Sequence, residues 1–109
     1  MVSMEEESNL VKFFGGSPFI RILDAFIDNI GSDYSKKEIE QLAGISKGAL
    51  FKHWKKLEDL NLIKVKRQFG NTNLYVLNTE SEIIKNLLNL EMDMIEETSP
   101  KAKLKAVAK

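Results

Sequence analysis

The sequence contains no cysteine, a single histidine (His53) and only two prolines among its 109 residues. Without thiols the chain can form no disulfide bond, and it has no thiolate for a metal site or for nucleophilic catalysis. A single imidazole also excludes a metal site built from several histidines. No nucleophile is paired with a base in the sequence, and the carboxylates are scattered. We therefore expect neither an enzyme nor a protein that carries a metal or another cofactor.

Long apolar runs are also missing. No stretch approaches the ~18 residues that a membrane span needs. The start, "MVSMEEESN", is acidic, whereas a secretory leader begins with basic residues and then becomes apolar. We therefore expect a cytoplasmic protein with no membrane partner. The length corresponds to one domain on the usual scale of ~100–200 residues per domain, which leaves no room for a separate ligand-sensing domain.

A net charge of either sign is absent as well, because 16 basic residues balance 16 acidic ones. The two signs are nevertheless segregated along the chain. Segments 1–33 and 74–99 are acidic, whereas segment 44–73 has two acidic residues and seven basic ones, namely Lys47, Lys52, Lys55, Lys56, Lys64, Lys66 and Arg67. Asymmetry of this kind is more informative than the sum, and it indicates a basic surface suited to nucleic acid.

The residue pattern predicts a mainly α-helical domain with a small β-hairpin. We expect a disordered acidic tail at 1–9, a domain at 10–97 that ends in a helix at 80–97, and a disordered basic tail at 98–109. The tails are the segments that a protein partner could bind. Within the domain, Ser17 and Pro18 begin an amphipathic helix, and Gly31 is expected to end it with a left-handed residue.

Two further helices are predicted on either side of a tight turn. Ser35 and Glu38 have the spacing of a capping box, Gly44 permits a positive φ, and Ser46 caps the next helix. The apolar residues of that helix recur at helical spacing, which predicts that they form one buried stripe: Leu50, Trp54, Leu57 and Leu60.

Segment 62–78 predicts two strands and a loop. Apolar and basic residues alternate at 63–66, residues 70–73 are turn formers, and residues 74–77 are rich in β-branched and aromatic side chains. Thr79 and Glu82 have the spacing of a second capping box. The helix that follows carries two adjacent apolar stripes, one of Ile83, Leu87, Leu90 and Met94, the other of Ile84, Leu88 and Ile95.

The predicted order is helix, helix, turn, helix, hairpin, helix. With the stretches "GSPFIRILDAF", "KKEIEQLAGISKGALFKHWKKLEDLNLIK" and "LYVLN", it resembles the winged helix-turn-helix superfamily of transcription regulators, above all the ArsR and MarR types. The stretch "AGISKGALF" is also similar to the recognition element of TetR-type repressors, which continue with helices where this chain has a hairpin. The resemblance implies a homodimeric regulator, expected to be a repressor, that binds double-stranded DNA. Metal sensing is not implied, because the cysteine and histidine ligands of ArsR-type sensors are absent.

In a helix-turn-helix the third helix lies in the major groove, with its first residues toward the base edges. The expected DNA contacts are therefore on the outward side of that helix, at the start of the preceding helix and on the hairpin: Lys36, Lys37, Ser46, Lys47, Gly48, Ala49, Phe51, Lys52, Lys55, Lys56, Lys66, Arg67 and Asn71. The lysines can neutralise phosphates or reach guanine, or they form a solvated face.

Three of these positions have an alternative interpretation. Phe51 either touches thymine methyl groups or packs under the hairpin. Gly48 either allows DNA to approach closely or is merely tolerated in the helix. The basic hairpin residues either enter a minor groove or protect a sheet edge from pairing.

The two apolar stripes on the last helix exceed what one small domain needs to cover. We therefore expect a symmetric homodimer with an interface formed by Leu10, Phe13, Phe14, Ile84, Leu87, Leu88, Met94 and Ile95. Leu87 and Leu88 point about 100° apart on a helix, so one is expected to face its own domain and the other the partner. A wide face buried within one chain is the alternative.

A second function remains open at this stage. The recognition helix offers Gly48, Ala49 and Phe51 where the superfamily usually has serine, threonine and arginine, which limits hydrogen bonding to base edges. The alternative is therefore an adaptor or assembly module that acts through protein–protein contacts, for example in plasmid partition or in a transcription complex.

Overall fold

The structure is a computed structural model that describes residues 8–98. Within them lie five helices and one antiparallel hairpin: α1 (Asn9–Phe14), α2 (Pro18–Asp28), α3 (Lys36–Ala43), α4 (Lys47–Asp59), β1 (Ile63–Phe69), β2 (Thr72–Leu77) and α5 (Glu82–Thr98). The prediction of a mainly helical fold with a small hairpin is confirmed.

The predicted tails fall largely on residues 1–7 and 99–109, which lie outside the described residues. At the inner edge of the first tail the prediction was wrong. Ser8 caps α1 by accepting the backbone N–H of Val11 at 3.1 Å, and Asn9 is the first helical residue. At the other end, α5 continues to Thr98, one residue beyond the predicted boundary.

Local capping chemistry sets the start of α3 and the turn before α4. Ser35 and Glu38 form the predicted capping box, each side chain bonded to the other residue's backbone N–H. Gly44 ends α3 in the left-handed region at φ 67°. Ser46 then accepts the N–H of Ala49 at 3.1 Å. Because a serine cap satisfies an N–H that the helix leaves unpaired, these residues set the end of α3 and the start of α4, two helices joined by a short turn (the helix-turn-helix segment, residues 35–59).

Two predicted helix ends are displaced. Asn29 is the C-cap of α2, which therefore ends before the predicted residue, Gly31. The Asn29 amide donates to the carbonyl of Ala25 at 2.9 Å and so satisfies an orphan carbonyl of the last turn. At the start of α5, the hydroxyl of Ser81 accepts the N–H of Ile84, so Ser81 takes the role that the sequence had predicted for Thr79.

The core is formed by one face of each helix and by the base of the hairpin. Trp54 of α4 is buried at its centre, with its ring in T-shaped contact with Tyr75 of β2 at 4.9 Å and tilted against Phe26 of α2 at 6.2 Å. Leu60 was predicted to continue the buried stripe of α4, but it follows the last helical residue and is 44% exposed. The remaining large residues that are fully buried are Leu10, Ile22, Ile39, Leu50, Leu57 and Ile84.

The hairpin is anchored by its base alone. Ile63 pairs with Leu77 and both are buried, whereas the rest of β1 is exposed. A register shift between Val65 and Arg67 bulges the strand. Tyr34, which precedes α3, forms an isolated bridge with Tyr75 through backbone hydrogen bonds of 2.9 and 2.7 Å. The bridge fastens β2 to the start of the helix-turn-helix segment.

The core assignment can be tested with two leucines of the helix-turn-helix segment. Leu57→Ala should lower the free energy of unfolding by about 2–5 kcal/mol, because it removes a fully buried side chain and leaves a cavity. Leu42→Ala, at a side chain that is 51% exposed, should cost far less. Urea unfolding followed by circular dichroism measures both, and equal losses would contradict the described core.

Candidate nucleic-acid interface

The outward side of α4 follows from the side that is buried. Leu50, Trp54 and Leu57 face the core. Successive residues turn by about 100° around a helix, so Lys47, Gly48, Phe51, Lys52 and Lys55 lie next to one another along one side of α4, and all of them are exposed. We call these five residues the α4 face. All five were predicted from the sequence as DNA contacts.

Two other predicted contacts on α4 lie off this face. The ammonium of Lys56 is 4.6 Å from the ring centroid of Phe19 on α2, which places Lys56 on the flank toward α2 and α5. Lys56 is exposed, and its role as a DNA contact stays a prediction. Ala49 lies on the same flank and is half-buried.

Phe51 is the apolar centre of the α4 face. Its ring is 51% exposed, and the ammonium groups of Lys36 and Lys47 each lie 5.7 Å from its centroid. Cations within about 6 Å of an aromatic ring are attracted to it electrostatically. Half of the ring is open to solvent, so Phe51 does not have the buried position that packing under the hairpin would give. Lys36, the first residue of α3, is thereby brought beside the face.

Gly48 has no role in the packing of this domain. A Cβ atom built on it would meet no heavy atom within 4 Å. Glycine in a helix is less favourable than alanine by up to about 1 kcal/mol, so the fold would be at least as stable with alanine there. The absence of a side chain at this position is not explained by contacts within residues 8–98.

The start of each helix in the helix-turn-helix segment offers further polar groups. Ser46 uses its oxygen to accept the N–H of Ala49, so its hydroxyl proton is left for another acceptor. Lys37 is exposed in the first turn of α3. It borders a groove of about 570 Å³ between α3 and the hairpin, whose lining includes Gln41, Arg67 and Phe69.

Arg67 is already paired within the domain. Its Nε donates to Oδ2 of Asp33 at 2.7 Å and its Nη2 to Oδ1 at 3.4 Å. The hydrogen bond from Arg67 holds the pKa of the Asp33 carboxyl below its ordinary value. The sequence predicted Arg67 as a DNA contact and did not indicate this pair, because Asp33 lies 34 residues earlier in the chain.

The tip of the hairpin also differs from the prediction. The strands extend to Phe69 and Thr72, so the turn is formed by Gly70 and Asn71 alone. Gly70 takes a positive φ of 64°. Lys66, within the bulge, and Arg67 lie partway along β1, so of the predicted hairpin contacts only the uncharged Asn71 is at the tip. The basic tip expected from the sequence is absent.

Most cations of this region have no acidic partner among residues 8–98. Lys55 is the exception on α4, because its ammonium lies 3.2 Å from Asp59. Both side chains of that pair are largely exposed, and such pairs contribute little to stability. Among the described residues no ion pair engages Lys36, Lys37, Lys47, Lys52 or Lys66. The arrangement can thus neutralise several phosphates without breaking internal contacts.

The predicted dimer residues differ in their exposure: some are buried, some are half-buried and some are exposed. Leu10, Ile84 and Met94 are buried in their own chain, so assigning them to contacts with a partner was wrong; α1 packs onto α5 and α2, which covers Leu10 within the core. Leu87 and Leu88 are both half-buried and both pack against that core, so neither of them points wholly away from its own domain. Phe13, Phe14 and Ile95 are exposed.

An apolar groove of about 460 Å³ lies between α2, the end of α4 and α5. Its lining includes Phe19, Leu60, Ile83, Leu87 and Leu90. Ile83 is 56% exposed. The sequence indicated this stripe on α5 through its i, i+4, i+7 spacing, but it did not indicate Phe19 or Leu60, which come from distant parts of the chain.

Within residues 8–98, no three histidine, aspartate or glutamate side chains are grouped so that they could hold a metal ion. No helix of this part of the chain is long and apolar enough to cross a membrane. Comparison with protein-family models, with curated proteins and with solved structures finds no match to the chain.

The Arg67–Asp33 pair predicts a titration. Because the pKa of Asp33 is lowered in the folded state, the pair stabilises the fold above the unfolded-state pKa, near 3.8, and this contribution is lost as the pH falls through the lowered value. Arg67→Gln should raise the pKa of Asp33 toward its ordinary value in an NMR titration of its carboxyl carbon.

Lys66→Gln is the matched control for this titration, since Lys66 makes the smallest contribution to lowering the pKa of Asp33. This variant should change the titration much less than Arg67→Gln does. If both variants leave the pKa of Asp33 where it is in the unmodified protein, the pair is not formed in solution.

Proposed function

We propose that this chain is a winged helix-turn-helix protein that binds double-stranded DNA as a homodimer and acts as a transcriptional regulator, most simply as a repressor. The observation that carries the proposal is the α4 face, where exposed lysines surround Phe51, a ring half open to solvent, and Gly48, which has no role in the packing. In this proposal α4 is the recognition helix, and β1 and β2 form the wing.

The arrangement around α4 supports this assignment. The recognition helix of a helix-turn-helix enters the major groove while the preceding helix crosses the backbone. Lys36 and Lys37 open α3, where free N–H groups and the helix dipole favour a phosphate. The bridge between Tyr34 and Tyr75 keeps the hairpin beside the same helix. The proposed phosphate contacts and the wing are therefore held in one unit.

The distribution of charge supports it as well. Affinity for DNA comes mainly from the neutralisation of phosphates, and a neutral protein can supply it if its cations are gathered on one surface. Here α3 and α4 carry the unpaired lysines, whereas α5 contains five acidic residues and one basic one, Lys85. Such an asymmetric protein would be oriented as it approaches DNA.

The interface of the proposed homodimer lies at the apolar groove, and not at those residues predicted from the sequence that are buried. The groove is lined by three residues of one apolar stripe of α5, Ile83, Leu87 and Leu90, and is bordered by Lys56. A second copy of α5 fits it chemically, because its own exposed apolar residues can fill the groove while its acidic residues meet Lys56. A two-fold axis would then present two α4 helices to two half-sites.

The salt dependence of binding tests the DNA proposal. If a dimer neutralises ~6–10 phosphates, affinity for mixed genomic fragments should fall by ~10³–10⁵ between 50 and 200 mM salt. Lys52→Ala should make the slope of log affinity against log salt concentration shallower, by roughly one phosphate contact per subunit. Fluorescence anisotropy measures both.

Lys85→Ala is the control, because Lys85 lies on α5 beside Glu82 and away from the proposed interface. The affinity of this variant should depend on salt with the same slope as that of the unmodified protein. A flat salt dependence would contradict DNA as the main partner. No binding even at low salt would instead favour the adaptor function.

The dimer proposal is tested by two substitutions on α5. Ile83→Lys places a charge in the groove, and since a buried unpaired charge is costly, it should convert the protein to a folded monomer. Met92→Lys is the control: Met92 is 59% exposed and lies on the opposite side of the helix, so the dimer should survive. Sedimentation equilibrium at micromolar concentration gives the masses. A monomeric unmodified protein would contradict the proposal.

A further inference from the structure

Gly48 and Phe51 are neighbours at the centre of the α4 face. Residues three apart on a helix lie side by side on its surface. Phe51 leaves half of its ring in solvent, and Gly48 leaves open space where a side chain would stand. Neither feature is explained by packing among residues 8–98. Together they form a shallow apolar site in which a flat group could approach the helix backbone beside an aromatic ring.

The surroundings of this site are cationic. Lys36 and Lys47 flank the Phe51 ring, and Lys52 is exposed on the same side of α4. A second copy of this surface would be repelled across a two-fold axis, because the lysines would meet one another. The charge instead matches a polyanion that offers an apolar group between its phosphates.

The composition of α4 further restricts which apolar group of a polyanion this site can bind. The helix contains no asparagine, glutamine, arginine, serine or threonine, so it lacks the amide side chains that identify adenine by paired hydrogen bonds. In the major groove an A·T pair also presents the 5-methyl group of thymine, and phenylalanine is among the side chains that contact it. The methyl group of thymine is therefore the feature of an A·T pair that Phe51 can recognise, beside the guanine contacts that the lysines of α4 can make.

We propose that Phe51 and Gly48 form a reading site for the 5-methyl group of thymine, so that the chain prefers one defined thymine in each half-site. The proposal rests on the proposed DNA-binding function and adds its sequence preference. Phe51 supplies the apolar contact, Gly48 leaves room for the base edge, and Lys47 and Lys52 hold the adjacent phosphates.

The test replaces thymine by deoxyuridine, which lacks the methyl group and keeps every hydrogen-bonding group of the base. The tightest-binding duplex is first selected from random DNA, and each thymine is then replaced in turn. At one thymine per half-site the affinity should fall by about three- to fivefold, the effect of burying one methyl group. Replacing both thymines of a two-fold site should multiply the two losses.

Three variants assign the effect to this site. Phe51→Ala should bind thymine and deoxyuridine duplexes equally, whereas Lys52→Ala should lower both affinities and keep their ratio. Gly48→Ala should melt at the same or a higher temperature, since its Cβ meets no atom within 4 Å, yet it should bind the selected duplex at least several-fold more weakly.

The outcomes separate this inference from the function on which it rests. If the protein binds no DNA, the proposed function fails. If it binds DNA and no deoxyuridine substitution changes the affinity, the reading site is wrong and the DNA-binding function stands. If the thymine preference persists in Phe51→Ala, another residue reads the methyl group and the assignment to Phe51 is overturned.

Discussion

The burial of Trp54 is the contact on which the arrangement of the other elements depends. Its ring lies against Tyr75 of the hairpin and Phe26 of α2, and the ammonium of Lys36 is 5.6 Å from its centroid. The indole N–H has no acceptor among the described residues, so apolar packing rather than hydrogen bonding holds the side chain in place. Because α4 can turn about its axis only if this ring leaves the core, Trp54 fixes which side of α4 faces outward.

The outward surface is assembled around that orientation from three separate segments. The capping box of Ser35 and Glu38 starts α3 at the point where Lys36 reaches the aromatic rings of α4. The hairpin is attached to the same segment by a backbone bridge and by the pair between Arg67 and Asp33. The cations beside Phe51 are therefore placed by a helix cap, by a backbone bridge and by a buried ring.

The two halves of α5 have different surroundings. Near its start, Ile84 is fully buried and Leu87 packs against the core. Further along, Glu91 meets Asp24 and Asp28 of α2, and burial followed by these like charges raises the pKa of its carboxyl. The inward side of α5 thus carries a partly buried carboxylate, Glu91, between apolar residues that face the protein, Leu87 before it and Met94 after it. The proposed homodimer rests on the apolar stripe that remains exposed beside the first half.

The amino-acid sequence by itself determined the order of the elements and the caps between α3 and α4, because a capping box, a left-handed glycine at position 44 and a 3.6-residue apolar period act over a few neighbouring residues. It also indicated the residues of the α4 face. The tertiary structure alone decided that Lys56 lies on the flank, that Arg67 is paired with Asp33, and that Ile84 is buried while Ile83 borders a groove. A helical period gives the angle between side chains but not the direction in which the helix faces, and that direction is set by residues far away in the sequence.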